Sequence, residues 1–175
     1  MIKRKWRFLL VPLALVLVLA ACASPEEQAA EGVRSATKLL EETPEQPNEK
    51  VGEHGLFIPS GYQVETGSEA PNILLNHSND TYVLFINENE PATSRLYYDL
   101  LVSDPSKKIV EEETNELSDQ FGFAAVVAHS DDQFELIVSR GGVKLSTVTN
   151  DKAIDTKLQD MMRIVHSYQT EEASQ

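Results

Sequence analysis

The stretch that decides the fold is Phe121-Gly122-Phe123-Ala124-Ala125-Val126-Val127, followed by Phe134-Glu135-Leu136-Ile137-Val138-Ser139 and Val143-Lys144-Leu145-Ser146-Thr147-Val148. The first run is apolar almost throughout, as a strand buried on both faces is. In the second, Phe134, Leu136 and Val138 alternate with polar residues, the two-residue period of a half-buried strand. His129-Ser130-Asp131-Asp132-Gln133 turns the chain between the first two runs. Arg140-Gly141-Gly142 turns it between the second and third, since adjacent glycines reach positive φ at little cost. The reading is a three-stranded meander. A helix follows, capped by Asn150 or Asp151, with an apolar stripe of Ile154, Leu158, Met161 and Val165 and with Met162 beside it. Asp151 and Asp155 lie near its positive end, and Arg163 and His166 near its negative end, as the helix dipole favours. Burying that stripe on the sheet is the expected closing event of the core.

Upstream, Leu56-Phe57-Ile58 reads as a short strand stopped by Pro59-Ser60-Gly61, and Tyr62-Gln63-Val64-Glu65 as a half-exposed strand. Asn72-Ile73-Leu74-Leu75 and Thr81-Tyr82-Val83-Leu84-Phe85-Ile86 flank the polar bridge Asn76-His77-Ser78-Asn79-Asp80, expected to be a five-residue hairpin loop. Thr93–Ser103 reads as a helix with Leu96, Leu100 and Leu101 on its stripe and Thr93 or Ser94 as cap, although Tyr97, Tyr98 and Val102 also suit a strand. Lys107–Glu116 reads as an edge strand. Strands, a helix, more strands and a terminal helix define an α+β domain: an antiparallel sheet with helices packed on one face, ending in a β-meander and a helix.

Residues 22–50 are expected to be a flexible acidic tether. They lack aromatics and are rich in Glu, Gln, Ala and Pro, a composition that disfavours a packed core. Ala29, Val33, Ala36 and Leu40 recur at helical spacing within it, as a fluctuating or partner-binding helix would. A flexible chain of this length reaches about 30 Å. The expected organisation is a removable segment 1–21, the tether 22–50, one domain 51–170 and a disordered tail 171–175.

The removable segment has three parts. Lys3, Arg4, Lys5 and Arg7 form a basic head, Phe8–Leu19 is apolar apart from Pro12, and the small residues Ala20 and Ala21 precede Cys22. This is the plan of a secretory signal, and its apolar run falls short of the roughly 20 residues that span a bilayer. Leu19-Ala20-Ala21-Cys22 resembles the lipobox of bacterial lipoproteins at all four positions. The resemblance implies a diacylglyceryl thioether on Cys22 and cleavage before it. It also implies residence at the cell membrane, lipid-anchored on its extracytoplasmic face. Two acyl chains on one residue make a lasting anchor where a single chain is marginal. Phe57-Ile58-Pro59-Ser60-Gly61-Tyr62 and the meander-plus-helix unit resemble small uncharacterised Gram-positive lipoproteins, and equally the sheet domains of photosystem extrinsic proteins. Neither likeness carries a motif that transfers a residue role.

Charge and cysteine content narrow the function. The chain holds 15 Lys and Arg against 28 Asp and Glu, a formal charge of −13, and cleavage removes four basic residues and no acid. That balance argues against nucleic acid as a partner. With its one cysteine lipidated, the chain offers no disulfide, thiol nucleophile or zinc thiolate. The only tryptophan, Trp6, leaves with the signal, so tyrosine should dominate the fluorescence of the mature protein.

Gly-x-Ser-x-Gly, His-Glu-x-x-His, phosphate-loop and dinucleotide signatures are absent. His129-Ser130-Asp131-Asp132 sit in one turn and diverge, unlike a converging triad. Asn87-Glu88-Asn89-Glu90 offers oxygen ligands of the kind calcium takes, in a short loop followed by Pro91. Glu111-Glu112-Glu113 with Glu116 reads as a solvated acidic face. His54, His77 and His166 have no second ligand at metal spacing, and Tyr97-Tyr98 either lines a ligand cleft or packs in the core. The expectation is a non-enzymatic binding module with no cofactor, no metal and no catalytic residue. It would be joined to the membrane through Cys22 and partnered by an envelope protein or polymer. The alternatives are a small-ligand or divalent-cation module and, last, an envelope hydrolase built on paired carboxylates. Cys22→Ala is expected to abolish incorporation of radiolabelled fatty acid; continued labelling of that variant would refute the lipidation.

Overall fold

The computed structural model describes residues 24–150 and 153–170; the expected signal segment, Cys22 and the tail 171–175 lie outside them. Helix α1 (Pro25–Lys38) runs into a short 3-10 turn (Leu39–Glu41). The strands β1 (Glu49–Val51), β2 (His54–Leu56), β3 (Gln63–Val64), β4 (Asn72–His77) and β5 (Asp80–Ile86) follow. Helix α2 (Leu96–Ser103) precedes β6 (Lys108–Glu116), β7 (Phe121–Ser130), β8 (Gln133–Arg140) and β9 (Val143–Thr149). Helix α3 (Ile154–Ser167) and β10 (Gln169–Thr170) complete the order. Seven strands form one antiparallel sheet in the order β3-β4-β5-β9-β8-β7-β6, and β1-β2-β10 form a small second sheet. The domain is α+β, with the meander β7-β8-β9 and then a helix at its C-terminal end.

Alternation along β7 builds two cores. Ala124 and Val126 face one side together with Tyr82, Leu84, Leu136, Val138 and Leu145. Phe121, Phe123, Ala125 and Val127 face the other, with Ile137 of β8. The two long helices cover the first side, where Ile154, Leu158, Met161, Met162 and Val165 of α3 are at most 1% exposed. The short α2 lies on the second side. There Tyr98 meets Phe121 and Phe123 edge-on at 5.8 and 5.5 Å, and Leu101 is buried while Leu100 is 58% exposed. Leu100 therefore does not belong to the buried stripe, because the helix turns its two tyrosines and Leu101 onto the phenylalanines.

The tether expectation is overturned for residues 25–41. Ser24 caps α1 by accepting from the Glu27 amide at 3.1 Å, while the Glu27 carboxylate accepts from the Ser24 amide at 2.9 Å. This reciprocal box satisfies two donors that a helix start leaves open, and Pro25 stands where a missing N–H costs nothing. Ala29, Val33, Ala36 and Leu40 are 0–2% exposed and belong to the main core. At Gly32 the helices touch backbone to backbone, since a Cβ there would lie 2.9 Å from the Asp155 Cα and from Leu158 Cδ1. Sheet side chains hold the other end of α1: Asn115 Nδ2 donates to Thr37 O at 3.3 Å, and Gln120 Nε2 to Leu40 O at 2.8 Å. Leu40 fills the space over Gly122, where a Cβ would lie 2.5 Å from Leu40 Cδ1 and 2.7 Å from Ser139 O. The domain thus begins near Ser24 rather than at residue 51.

The β4–β5 connection is also tighter than expected. Asn76 pairs with Thr81 and His77 with Asp80, leaving Ser78-Asn79 as the turn, with Ser78 at φ 55°. The polar residues extend the ladder because they bond across it, as Thr81 Oγ1 does to Asn76 Oδ1 at 3.0 Å. Ser94, one of the expected caps of α2, accepts from the first amide of that helix, Leu96 N, through Oγ at 3.2 Å. Arg95 precedes α2 and Ala153 precedes α3, each without a side-chain capping bond, and Asp151 lies outside the described residues. The expected edge strand is β6, at one edge of the large sheet.

Two ends of the sheet can be distinguished. At the upper end β5, β6 and β8 begin and β7 and β9 finish; at the lower end β5, β6 and β8 finish and β7 and β9 begin. A chain starting at residue 51 is expected to lose cooperative unfolding in urea that a chain starting at Ser24 retains. Leu40→Ala should cost about 2–5 kcal/mol in the same titration; a folded, equally stable 51–175 fragment would refute the role of α1.

Candidate functional site

An open cleft of about 600 Å³ lies at the lower end, with Ile86, Glu88, Glu90, Arg140, Tyr168 and Thr170 among the residues lining it. Four chain segments build it: the β1–β2 turn with Glu53, the loop after β5, the β8–β9 turn, and the residues after α3. The loop and the turn interlock. Asn87 N donates to Gly142 O at 2.8 Å, and a Cβ on Gly142 would collide with the carbonyls of Asn87 and Glu90. Gly141, at φ 51°, passes against Pro91 and Ala92 so closely that a side chain is excluded.

Arg140 lies in the wall. Its Nη1 donates to His166 O at 2.7 Å and its Nη2 to Tyr168 O at 3.3 Å. It thereby places a cation at the negative end of α3, where the helix dipole favours it. Its Nε is buried without a hydrogen-bond partner, and no carboxylate pairs with the guanidinium among the described residues. Around it Glu53, Glu88 and Glu90 bring three carboxylates to the cleft. The buried His54 stands behind Glu88, Nε2 to Oε1 at 3.8 Å, and stacks on Tyr168 at 5.7 Å with the tyrosine hydroxyl 3.4 Å from Nδ1. Burial raises the Tyr168 hydroxyl above its ordinary range, and Glu88 pushes the same way. The arrangement is a concave, strongly polar surface with one embedded positive group and a negative rim. It can recognise complementary charge.

Of the residues singled out in the sequence, Asn87-Glu88-Asn89-Glu90 forms a wall of this cleft and its neighbouring rim. The loop spends its own oxygens internally. Asn87 Oδ1 accepts from Asn89 N at 3.2 Å, Asn87 O accepts from Glu90 N at 3.2 Å, and Glu90 accepts from Ser94 Oγ. Among the described residues no group of three or more His, Asp or Glu stands at metal-holding distances. His129-Ser130-Asp131-Asp132 lie at the upper end, far along the sheet. The acidic run on β6 is not one face, because the strand alternates. Glu112 accepts from Tyr98 Oη at 3.3 Å and Glu116 pairs with Arg95 at 3.1 Å, both on the α2 side, whereas Glu113 points the other way. Tyr98 is core; Tyr97 packs edge-on against Phe85 at 6.2 Å and donates to Gly142 O at 3.4 Å, beneath the cleft turn. His77 stacks on Tyr62 at 4.3 Å, remote from the cleft.

Sequence reasoning passed over Arg140, Glu53, Tyr168 and Thr170. The only signal was a lone arginine ahead of paired glycines. It also passed over a buried group at the upper end, where Lys157 Nζ meets Asp80 and donates to Thr149 Oγ1 at 2.8 Å, pinning α3 to β5 and β9.

No protein-family model matches the chain, and no curated protein does. Among solved structures, the solution structure of cyanobacterial PsbP (CyanoP) from Synechocystis sp. PCC 6803 is similar with a TM-score of 0.40 and 10% identity, over 67% of this chain and 86% of that one. A likeness at that level transfers no residue role.

Behind the cleft, burial pushes the His166 imidazole down to about 4 from 6.5; the Arg140 charge pushes the same way and a hydrogen bond with the Leu39 backbone opposes both. Between those values the unfolded chain binds a proton that the folded chain refuses. Stability present above pH 6.5 is therefore lost as the pH falls toward 4. Between pH 7 and 4.5 the native protein should lose about 2 kcal/mol more than a His166→Gln variant in urea titrations; equal losses would refute this role.

Proposed function

We propose that this chain is a lipid-anchored lipoprotein on the extracytoplasmic face of the cell membrane, acting as a non-enzymatic binding module. Its partner is an envelope protein or polymer, and the cleft at Arg140 is where it binds. The anchor reading rests on Leu19-Ala20-Ala21-Cys22 behind a basic head and an apolar run. The binding reading rests on one observation: four separate segments converge on a cleft of about 600 Å³ in which the half-buried Arg140 guanidinium, its Nε buried, forms no ion pair with a carboxylate among the described residues. Clefts of this size are the usual setting for recognition of a ligand or a protruding segment of a partner.

Charge distribution selects the partner's chemistry. A rim of Glu53, Glu88 and Glu90 favours amino or other cationic groups, while the free N–H capacity of Arg140 favours a carboxylate or carbonyl oxygen next to them. Peptide termini and amino-substituted envelope polymers carry both. The test is a photo-crosslinking residue in place of exposed Asn89 at the cleft rim, in the full-length chain in cells, with the same residue in place of Lys108 at the other end as control. A discrete adduct at Asn89, absent at Lys108 and weakened at least about tenfold by Glu88→Lys through charge reversal, is expected. Adducts at Lys108 with none at Asn89 would overturn the cleft as the binding site.

A further inference from the structure

The end of the domain opposite the cleft carries its own inference, which rests on the reading of Cys22 as lipidated. Ser24 is the N-cap of α1. Two peptide units separate it from Cys22, so the lipidated residue lies no more than about 7–8 Å away. The spacer of about 30 Å that a disordered tether would supply does not exist, because residues 25–41 are folded into the core.

Where α1 begins is set by three independent contacts. Its C-terminal end is tied to Asn115 and Gln120 beside the β6–β7 turn, at the lower end. Gly32 lies against Asp155 at the start of α3, which follows the upper end of β9. His166, near the end of α3, meets Leu39. The two helices therefore run in the same direction, and α1 projects seven residues, about 10 Å, past the level of Gly32 at the upper end.

Helix α2 runs the opposite way and finishes at this same pole. Arg95 at its start pairs with Glu116 at the lower end of β6, and its last residue, Ser103, leads through a short loop to Lys108 at the upper end. Leu100 and Val102, 58% and 46% exposed, are on its final turn.

We infer that this upper pole, formed by the start of α1, the Asp131-Asp132 turn and the end of α2, rests directly on the lipid bilayer and holds the cleft facing away from it. Exposed Leu100 and Val102 offer apolar contact at the headgroup level. Glu26, Glu27, Asp131 and Asp132 confine the pole to the headgroup layer and favour zwitterionic over anionic lipid, with repulsion acting within about 10 Å at ordinary salt. The bilayer is the occupant singled out because the covalent anchor delivers it to this pole and to no other.

The experiment uses the full-length lipidated chain floated with phosphatidylcholine vesicles containing a headgroup acceptor dye. Cys22 is blocked by lipid, so Asp132→Cys and Asn89→Cys can each take a donor fluorophore. The two sites are about 25 Å apart along the sheet axis, from an eight-residue strand at about 3.3 Å per residue. Energy transfer from position 132 is expected to exceed that from position 89 by about twofold or more. Twenty Gly and Ser residues inserted between Cys22 and Ser24 should erase the difference, since such a linker reaches about 25 Å. Equal transfer from both positions in the native-length, vesicle-bound chain would overturn the seated pole while leaving the anchor standing. A chain that fails to float with vesicles would overturn the anchor and, with it, the pole.

Discussion

The contact between α1 and α3 at Gly32 is the constraint on which the domain depends. Neither helix has an independent reason to persist: α1 is one short amphipathic segment among glutamates and prolines, and helices of this length are marginal in water without tertiary packing. Laid side by side with backbones touching, they cover one face of a seven-stranded sheet and exclude water from Leu84, Val126, Leu136 and Leu145. The absence of a Cβ at residue 32 sets their separation, and the ties from Asn115 and Gln120 set where α1 stops. Leu40 then drops into the gap over Gly122, so one glycine seats α1 against α3 and another seats the turn that follows α1 against the sheet.

The cleft inherits its position from that packing. The last carbonyls of α3 arrive at the lower end of β8, where Arg140 binds them, and β10 continues from there to pair with β2. The guanidinium is fixed by the helix it terminates, which makes it a rigid element of the cleft wall. The neighbouring His166 stays neutral because the same burial and the same cation oppose its charging. The arginine that binds the last carbonyls of α3 thus also lines the cleft, beside the carboxylates of Glu53, Glu88 and Glu90.

Periodicity made most of the sheet and α3 legible. Strands with Leu, Val, Ile and Phe at alternate positions, and a helix with Ile154, Leu158, Met161 and Val165, carry enough apolar area to announce the face they bury. The stripe on α1 carried the correct spacing but was built largely of alanine, valine and an approaching glycine. These small residues matter because a partner helix comes close, and that closeness is not a local property. The Asn76–Asp80 bridge escapes local reading for a related reason: its polar residues have loop composition, yet Asn76, His77 and Asp80 pair in the ladder. Of the cleft, the Asn87–Glu90 wall was visible as a run of oxygen-bearing residues. Arg140 was not, since its role comes from the arrival of α3, a long-range event with no trace in its neighbours. Strand alternation also dissolved the apparent acidic face of β6 by sending Glu112 and Glu113 to opposite sides.

The helix pair joins the beginning of the described chain to its end, with α1 at residues 25–38 and α3 at 154–167. Contacts of such long sequence separation are slow to form, because the loop between them must close first. A chain made and moved from its N-terminus onward exposes the stripe of α1 from the outset and completes its partner only at the last. The main core therefore stays open until nearly the whole domain is present. A truncated or stalled chain would keep its apolar sheet face unclosed, an exposed state that quality-control proteases and chaperones recognise.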